Sequence, residues 1–418
     1  MLALLVGAAT GLVCALFRIC LQEADRLRDL AIGWAHGQAL VGFLLVVLAG
    51  AACALAAWLV RRFAPHASGS GIPHVELVLR REVAPAPFVL LPVKFVGGLL
   101  AIGSGLALGR EGPSVQMGAS LAHLFAELSR RSWADSRVLM AAGAGAGLAT
   151  AFNAPIAGAI FVLEELVQRF EHRIAIAALA ASATAIATAR AILGNQPNFV
   201  VPPIDHVPTL GLPLFLLMGA LAGLLAIAYN RSLLATIAGF ERLRMIPELR
   251  AALVGAAVAM VAWFAPALVG GGDGLTQRAL SGAEPLALLP LIFLLRLVMG
   301  HASYAAGTPG GLFAPLLVLG AQAGLLFGAG CALAFPGLGI SPSAFAVVGM
   351  AALFTGIVRA PLTGIVLITE MTAAFTMLLP MLGACFAAML VPTLLRDTPI
   401  YEALRAGTLR REKTLKRD

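Results

Sequence analysis

A glycine–proline element occurs twice in this chain, each time inside a long apolar stretch, and only one copy carries an acid. The first copy reads Gly109-Arg110-Glu111-Gly112-Pro113 and runs on to Gly118-Ala119; the second reads Gly310-Gly311-Leu312-Phe313-Ala314-Pro315 and runs on to Gly320-Ala321. Setting Pro113 on Pro315 superposes Gly118 on Gly320 and places Glu111 opposite Phe313. Glycine and proline interrupt helices, and a carboxylate among apolar residues is costly. Interrupted helices at matching positions of two halves point to a transporter's binding site, and an ionisable residue there points to function.

Composition fixes the setting. Of 418 residues, 60% are hydrophobic and 12% charged, too few charges to cover a soluble surface. Apolar runs long enough to span a bilayer recur, for example 39–60, 87–108, 174–193 and 210–227. The segment from Leu2 onward lacks a basic n-region and reads as a first membrane helix rather than a signal peptide. The whole chain therefore reads as one all-α polytopic membrane domain. Its net charge of +8 does not indicate nucleic acid, because the basic residues cluster at the ends of apolar segments, as at Arg61-Arg62, Arg80-Arg81 and Arg130-Arg131. The basic residues of 405–418 put a solvated tail in the cytoplasm. Five scattered cysteines and seven dispersed histidines show neither disulfide framework nor metal-ligand spacing, so no metal and no cofactor is expected.

The duplication extends further. Residues 143–164 match 349–370: Ala154-Pro155 falls on Ala360-Pro361, Gly158 on Gly364 and Glu164 on Glu370. The Gly-Pro element repeats at an offset of 202 and this one at 206, in the same order. The expected organisation is a first repeat (1–194), a polar, proline-rich linker (195–208), a second repeat (209–404) and the tail (405–418). An odd number of crossings per half makes the repeats inverted, with broken and re-entrant helices where the Gly-Pro elements fall.

Gly69-Ser70-Gly71-Ile72-Pro73 is a third element of this type. In each, glycine frees backbone N–H groups and a proline follows that suits a first helical turn. Helix N-termini carry unpaired donors and partial positive charge, and three of them meeting in the membrane would replace the water around a small anion. A fully charged lysine or arginine would hold the ion too tightly for turnover. Small-residue helix packing competes as an explanation for any one element. It does not account well for three.

Together GSGIP (69–73), GREGP (109–113), GGLFAP (310–315) and the late tyrosine of TPIYEAL (Tyr401) resemble the CLC family of chloride channels and chloride/proton antiporters, over about Gly69 to Leu404. The resemblance implies that Ser70 and Tyr401 give hydroxyls to a central chloride, with backbone amides around Leu312 and Phe313. Amides near Arg110, Gly112 and Ala314 would line an outer site. Glu111 matches the gating glutamate, a carboxylate that competes with chloride for the site and leaves it on protonation. An ion pair with Arg110 is the alternative for Glu111, but adjacent helix residues do not face each other. Glu165 falls on the inner proton-transfer glutamate that antiporters carry and channels generally lack, against the alternative of a solvated helix-end acid. Glu164 and Glu370 are expected to hold structure or line a water path. Lys94, a lone cation in an apolar run, falls on a family lysine that raises the local potential or caps carbonyls.

The implied function is electrogenic exchange of chloride for protons in a bacterial-type inner membrane, by a homodimer of prokaryotic type with one pore per subunit. Bromide and nitrate would be tolerated, since Ser70 resembles chloride-selective members and nitrate-preferring relatives have proline there. The chain starts without the extra N-terminal helix of many members, and the 17 residues after Tyr401 leave no room for the cytoplasmic nucleotide-binding pair of many eukaryotic ones. A passive chloride channel of the same fold is the alternative, which Glu165 opposes. A membrane-embedded hydrolase using Glu164-Glu165 lacks a nucleophile or metal set, and a structural subunit leaves Glu111 unexplained.

Overall fold

The computed structural model describes residues 1–204 and 208–415, with the backbone alone over 411–415. The first half contains α1 (Leu2–Ala35), α2 (Ala39–Phe63), α3 (Ile72–Leu79), α4 (Leu90–Gly103), α5 (Glu111–Leu128), α6 (Trp133–Phe152), α7 (Pro155–Phe161) and α8 (His172–Leu193). A π-helical turn, Val162–Leu166, continues α7. The second half contains α9 (Leu212–Arg242), α10 (Pro247–Phe264), α11 (Asp273–Leu280), α12 (Leu289–Ala305), α13 (Phe313–Ala334), α14 (Pro342–Val358), α15 (Pro361–Thr372) and α16 (Leu378–Leu394). A last helix, α17 (Ile400–Leu415), has no counterpart in the first half.

Helices α1–α8 correspond in order to α9–α16. Packing repeats with them: α1 lies on α8 as α9 lies on α16, and α5 on α6 as α13 on α14. Glycines make these contacts close. A Cβ on Gly349 would come within 2.9 Å of the Gly324 Cα across the α13–α14 contact. The two inverted repeats then cap one another. The Glu164 carboxylate accepts from the Leu362 and Thr363 amides at the start of α15, at 3.0 and 2.7 Å. Its repeat mate Glu370 accepts from the Ile156 and Ala157 amides at the start of α7, at 3.1 and 2.8 Å. Each acid meets the orphan donors and positive end of the other half's helix, a contact that fits the first of the two roles expected of the pair, holding structure or lining a water path.

Among the described residues seven helices are long and apolar enough to cross a membrane, and the chain is a multi-pass membrane protein. The expected span 87–108 is shorter in fact: α4 is 14 residues and stops at Gly103. Gly105 follows with φ of +100°, a left-handed turn that ends the helix. The linker 195–208 is pinned where it is described, Phe199 N–H donating to Met371 and the Val200 backbone exchanging hydrogen bonds with Gln277; residues 205–207 lie outside the described residues. The expected tail also differs. Residues 405–415 continue α17, and Arg405 is docked against α3 rather than solvated, because it has a buried acid to meet; residues 416–418 lie outside the described residues.

Candidate anion and proton site

Three helices begin at one place. Their approach segments are tied by backbone hydrogen bonds: Gly69 N–H to Thr308 O (3.1 Å), Gly310 N–H to Gly69 O (3.0 Å), Gly109 N–H to Gly311 O (2.8 Å) and Gly311 N–H to Gly109 O (2.6 Å). The starts of α3, α5 and α13 therefore converge, as the three Gly-Pro elements suggested. Prolines 73, 113 and 315 sit in first turns, where a missing N–H costs no helical bond. The amides that remain there have no intrahelical acceptor.

The closeness needs glycine. Gly71 has φ of +80° at the start of α3. At Gly112 a Cβ would lie 2.6 Å from the Ser70 carbonyl oxygen, and at Gly311 a Cβ would lie 2.9 Å from the Gly112 nitrogen. A side chain at either position would push the helix starts apart.

Most residues singled out in the sequence come together here. Ser70 is buried, its Oγ accepting from the Ile72 amide at 3.3 Å. Tyr401, in the first turn of α17, is fully buried, and its hydroxyl has no protein hydrogen-bond partner. Its ring lies 5.9 Å from that of Phe313, which also packs edge-on against Phe161 and Phe354. Phe313 thus anchors an aromatic cluster where the first repeat has an acid. Leu312, Phe313 and Ala314 form the start of α13 with side chains packed inward. Buried polar atoms are nearly always paired, so an orphan hydroxyl on a ring packed against the start of α13 marks a place for a polar ligand.

Glu111 is 1% exposed and its Oε2 has no protein partner. Its carboxylate lies against Gly109 and Gly311, with its own amide and that of Ala314 the donors nearest it. It occupies the anion-seeking end of α5 itself. Arg110 lies within electrostatic range of Glu111 but makes its hydrogen bonds elsewhere, donating to Asp273 at 3.1 Å and to the Ala151 carbonyl at 3.1 Å. Both residues border a cavity of about 240 Å³, whose wall also includes Asp25, Arg28, Asp273 and Arg278. This cavity is a mouth leading to Glu111.

Glu165 is not in that mouth. It lies in the π-helical turn after α7, buried to 6% exposure, with Glu76, Glu164, Arg405 and Arg80 in electrostatic range. Tyr401 stands within electrostatic range of both Glu111 and Glu165.

Lys94 resolves between its two expectations at the level of contact: fully buried, it donates to the Ala67 and Gly69 carbonyls at 2.9 and 2.7 Å, capping the loop before α3. Sequence reasoning missed its counterpart. Arg296, 2% exposed on α12, donates to the Leu268, Gly270 and Gly271 carbonyls in the loop before α11. The signal was available, since Arg296 lies 202 positions after Lys94, the offset of the Gly-Pro element. Asp273, the partner of Arg110, was also missed; nothing local links residues so far apart in the chain.

The arrangement can coordinate a small anion through neutral donors and can carry a proton on either of two carboxylates. Residues 51–393 match the family model described as "Voltage gated chloride channel". The H(+)/Cl(-) exchange transporter ClcA of Vibrio campbellii is 36% identical over 425 residues, spanning 100% of this chain and 91% of that protein. A slow cyanobacterial Cl-/H+ antiporter of known structure superposes with a TM-score of 0.94 at 32% identity, covering 99% of this chain and 98% of its own. A CLC-type fluoride/proton antiporter shares the fold at a TM-score of 0.78 and 23% identity, covering 96% of this chain and 95% of its own.

Proposed function

The chain belongs to the voltage-gated chloride channel family, the CLC family, and from that premise we propose that it exchanges chloride for protons across a membrane. The observation that carries this reading is the cradle of three tied helix starts, with the Tyr401 hydroxyl and one carboxylate oxygen of Glu111, Oε2, left without hydrogen-bond partners. Chloride sits among the amides of Leu312 and Phe313 with the hydroxyls of Ser70 and Tyr401. An outer position lies by the amides of Arg110, Gly112 and Ala314, where the Glu111 carboxylate stands in for an anion.

The coupling follows from competition. An ionised Glu111 occupies the outer position and excludes chloride; a protonated one has no charge for the helix ends to hold and gives way. Each cycle therefore links a proton on Glu111 to an anion in the cradle. Glu165 passes protons between Glu111 and the inner solution along a route separate from the chloride path. Because the two ions carry opposite charge in opposite directions, each exchange moves net charge and responds to voltage.

A passive chloride channel of the same fold is the second reading; the buried Glu165 and the exchangers among the relatives favour exchange. We assign no enzymatic chemistry and no cofactor to the site. The protein works as a homodimer in a bacterial inner membrane, with lipid against its apolar helices, and passes bromide and nitrate as well as chloride. Planar-bilayer recording tests the reading. With chloride gradient fixed, the reversal potential shifts with a pH gradient in an exchanger, and a potential that ignores pH would reject exchange.

A further inference from the structure

One buried charged cluster takes no part in the scheme above. Glu76 on α3 is 2% exposed and accepts hydrogen bonds from Arg80, at 2.9 Å, and from Arg405 on α17. Arg80 also donates to the Gln168 side chain at 2.6 Å. The cluster thus joins three elements that each carry a site residue. Arg405 follows Tyr401 by four residues, which puts both on one face of α17. Glu76 lies on the helix that Ser70 introduces. Gln168 lies three residues past Glu165, just beyond the π-helical turn.

A carboxylate buried in this way is stabilised only by close partners, and removing one partner leaves an uncompensated charge. Two arginines converge on Glu76, one of them from the helix whose first turn supplies the Tyr401 hydroxyl. The same groups, Glu76, Arg80 and Arg405, together with Glu164, make up the charged surroundings of Glu165. We propose that Glu76 and Arg405 are positioning residues for coupling: their contact holds Tyr401 over the chloride cradle and fixes the field in which Glu165 takes and gives its proton. The inference rests on the assignment of Tyr401 and Glu165 above. A bond that merely fastened α17 to α3 would change the amount of folded protein, not the ratio of ions moved.

The experiment compares chloride flux and coupled proton flux of the full-length protein in liposomes, with the reversal potential as a second readout of their ratio. Arg405→Gln is expected to lower the proton-to-chloride ratio at least twofold while chloride still passes, and Arg405→Lys to restore it. A wild-type ratio in Arg405→Gln, or a ratio in Arg405→Lys as low as in Arg405→Gln, would overturn the proposal. Should Arg405→Gln not fold, Glu76→Gln keeps an acceptor in place of the charge and is read by the same ratio; an unchanged ratio there overturns the proposal too. Glu165→Gln run in parallel separates the failures. If it stays fully coupled, the assignment of Glu165 falls, whereas an uncoupled Glu165→Gln beside a normal Arg405→Gln rejects this inference alone.

Discussion

Lys94 and Arg296 stand 202 positions apart and make the same contact in opposite halves, each a buried cation whose donors take up the carbonyls of the loop leading into an eight-residue helix. The duplication has preserved a physical solution rather than a residue type. A loop turning into a helix start leaves carbonyls without helical partners, and a long basic side chain from a neighbouring helix meets them. The lysine and the arginine thus each hold in place the loop that leads into a short helix of their own half.

Replacing either cation by methionine is expected to lower thermal stability in detergent, because each carbonyl left unsatisfied costs about 1–3 kcal/mol. Lys94→Met should in addition weaken chloride binding, since the Gly69 carbonyl it holds lies in the tied segment of the cradle. Thermal unfolding with chloride titration checks both. Unchanged melting in both variants would mean the carbonyls find other donors.

Gly112→Ala is expected to cut chloride flux tenfold or more, equal to about 1.4 kcal/mol, because its Cβ meets the Ser70 backbone. Gly330→Ala is the control: nothing lies within 4 Å of its Cβ, and flux should match wild type. Equal flux in both variants would count against tight convergence of the helix starts.

Glu164→Ala and Glu370→Ala should each destabilise the fold by about 1–2 kcal/mol through loss of a helix cap. Glu370→Ala, whose carboxylate is not among the charged neighbours of Glu165, should leave the proton-to-chloride ratio at the wild-type value. A changed ratio in Glu164→Ala alone would draw that residue into the proton route beside Glu165.

The two acids assigned to coupling separate by their effects. Glu111→Gln mimics a permanently protonated gate, so chloride flux should persist, lose its pH dependence and carry no protons. Glu165→Gln should also stop protons, yet keep a chloride flux that responds to pH through Glu111. Paired flux measurements across pH distinguish them, and identical pH profiles would merge the two roles into one.

The cradle was legible because its signal is local. Glycine and proline inside an apolar run state where a helix must start, and three such places suggested one site. Asp273 and Arg110 pair across 163 residues, and no periodicity or motif announces such a contact. Arg405 read as part of a solvated basic tail because only the folded chain brings the buried Glu76 to it. The span 87–108 looked continuous by hydropathy, since a window averages over the Gly103-Ser104-Gly105 break that ends α4. Arg296 was within reach of the repeat offset but hidden by its apolar neighbours.

Proton movement against its gradient is the most direct test of exchange. Purified protein in liposomes, loaded with chloride on one side and held at a fixed voltage by a potassium ionophore, is followed by pH recording. Exchange predicts protons driven uphill by the chloride gradient, with movement abolished in Glu111→Gln. Chloride efflux with no uphill proton movement in the wild-type protein would contradict the account and leave a passive chloride pathway in its place.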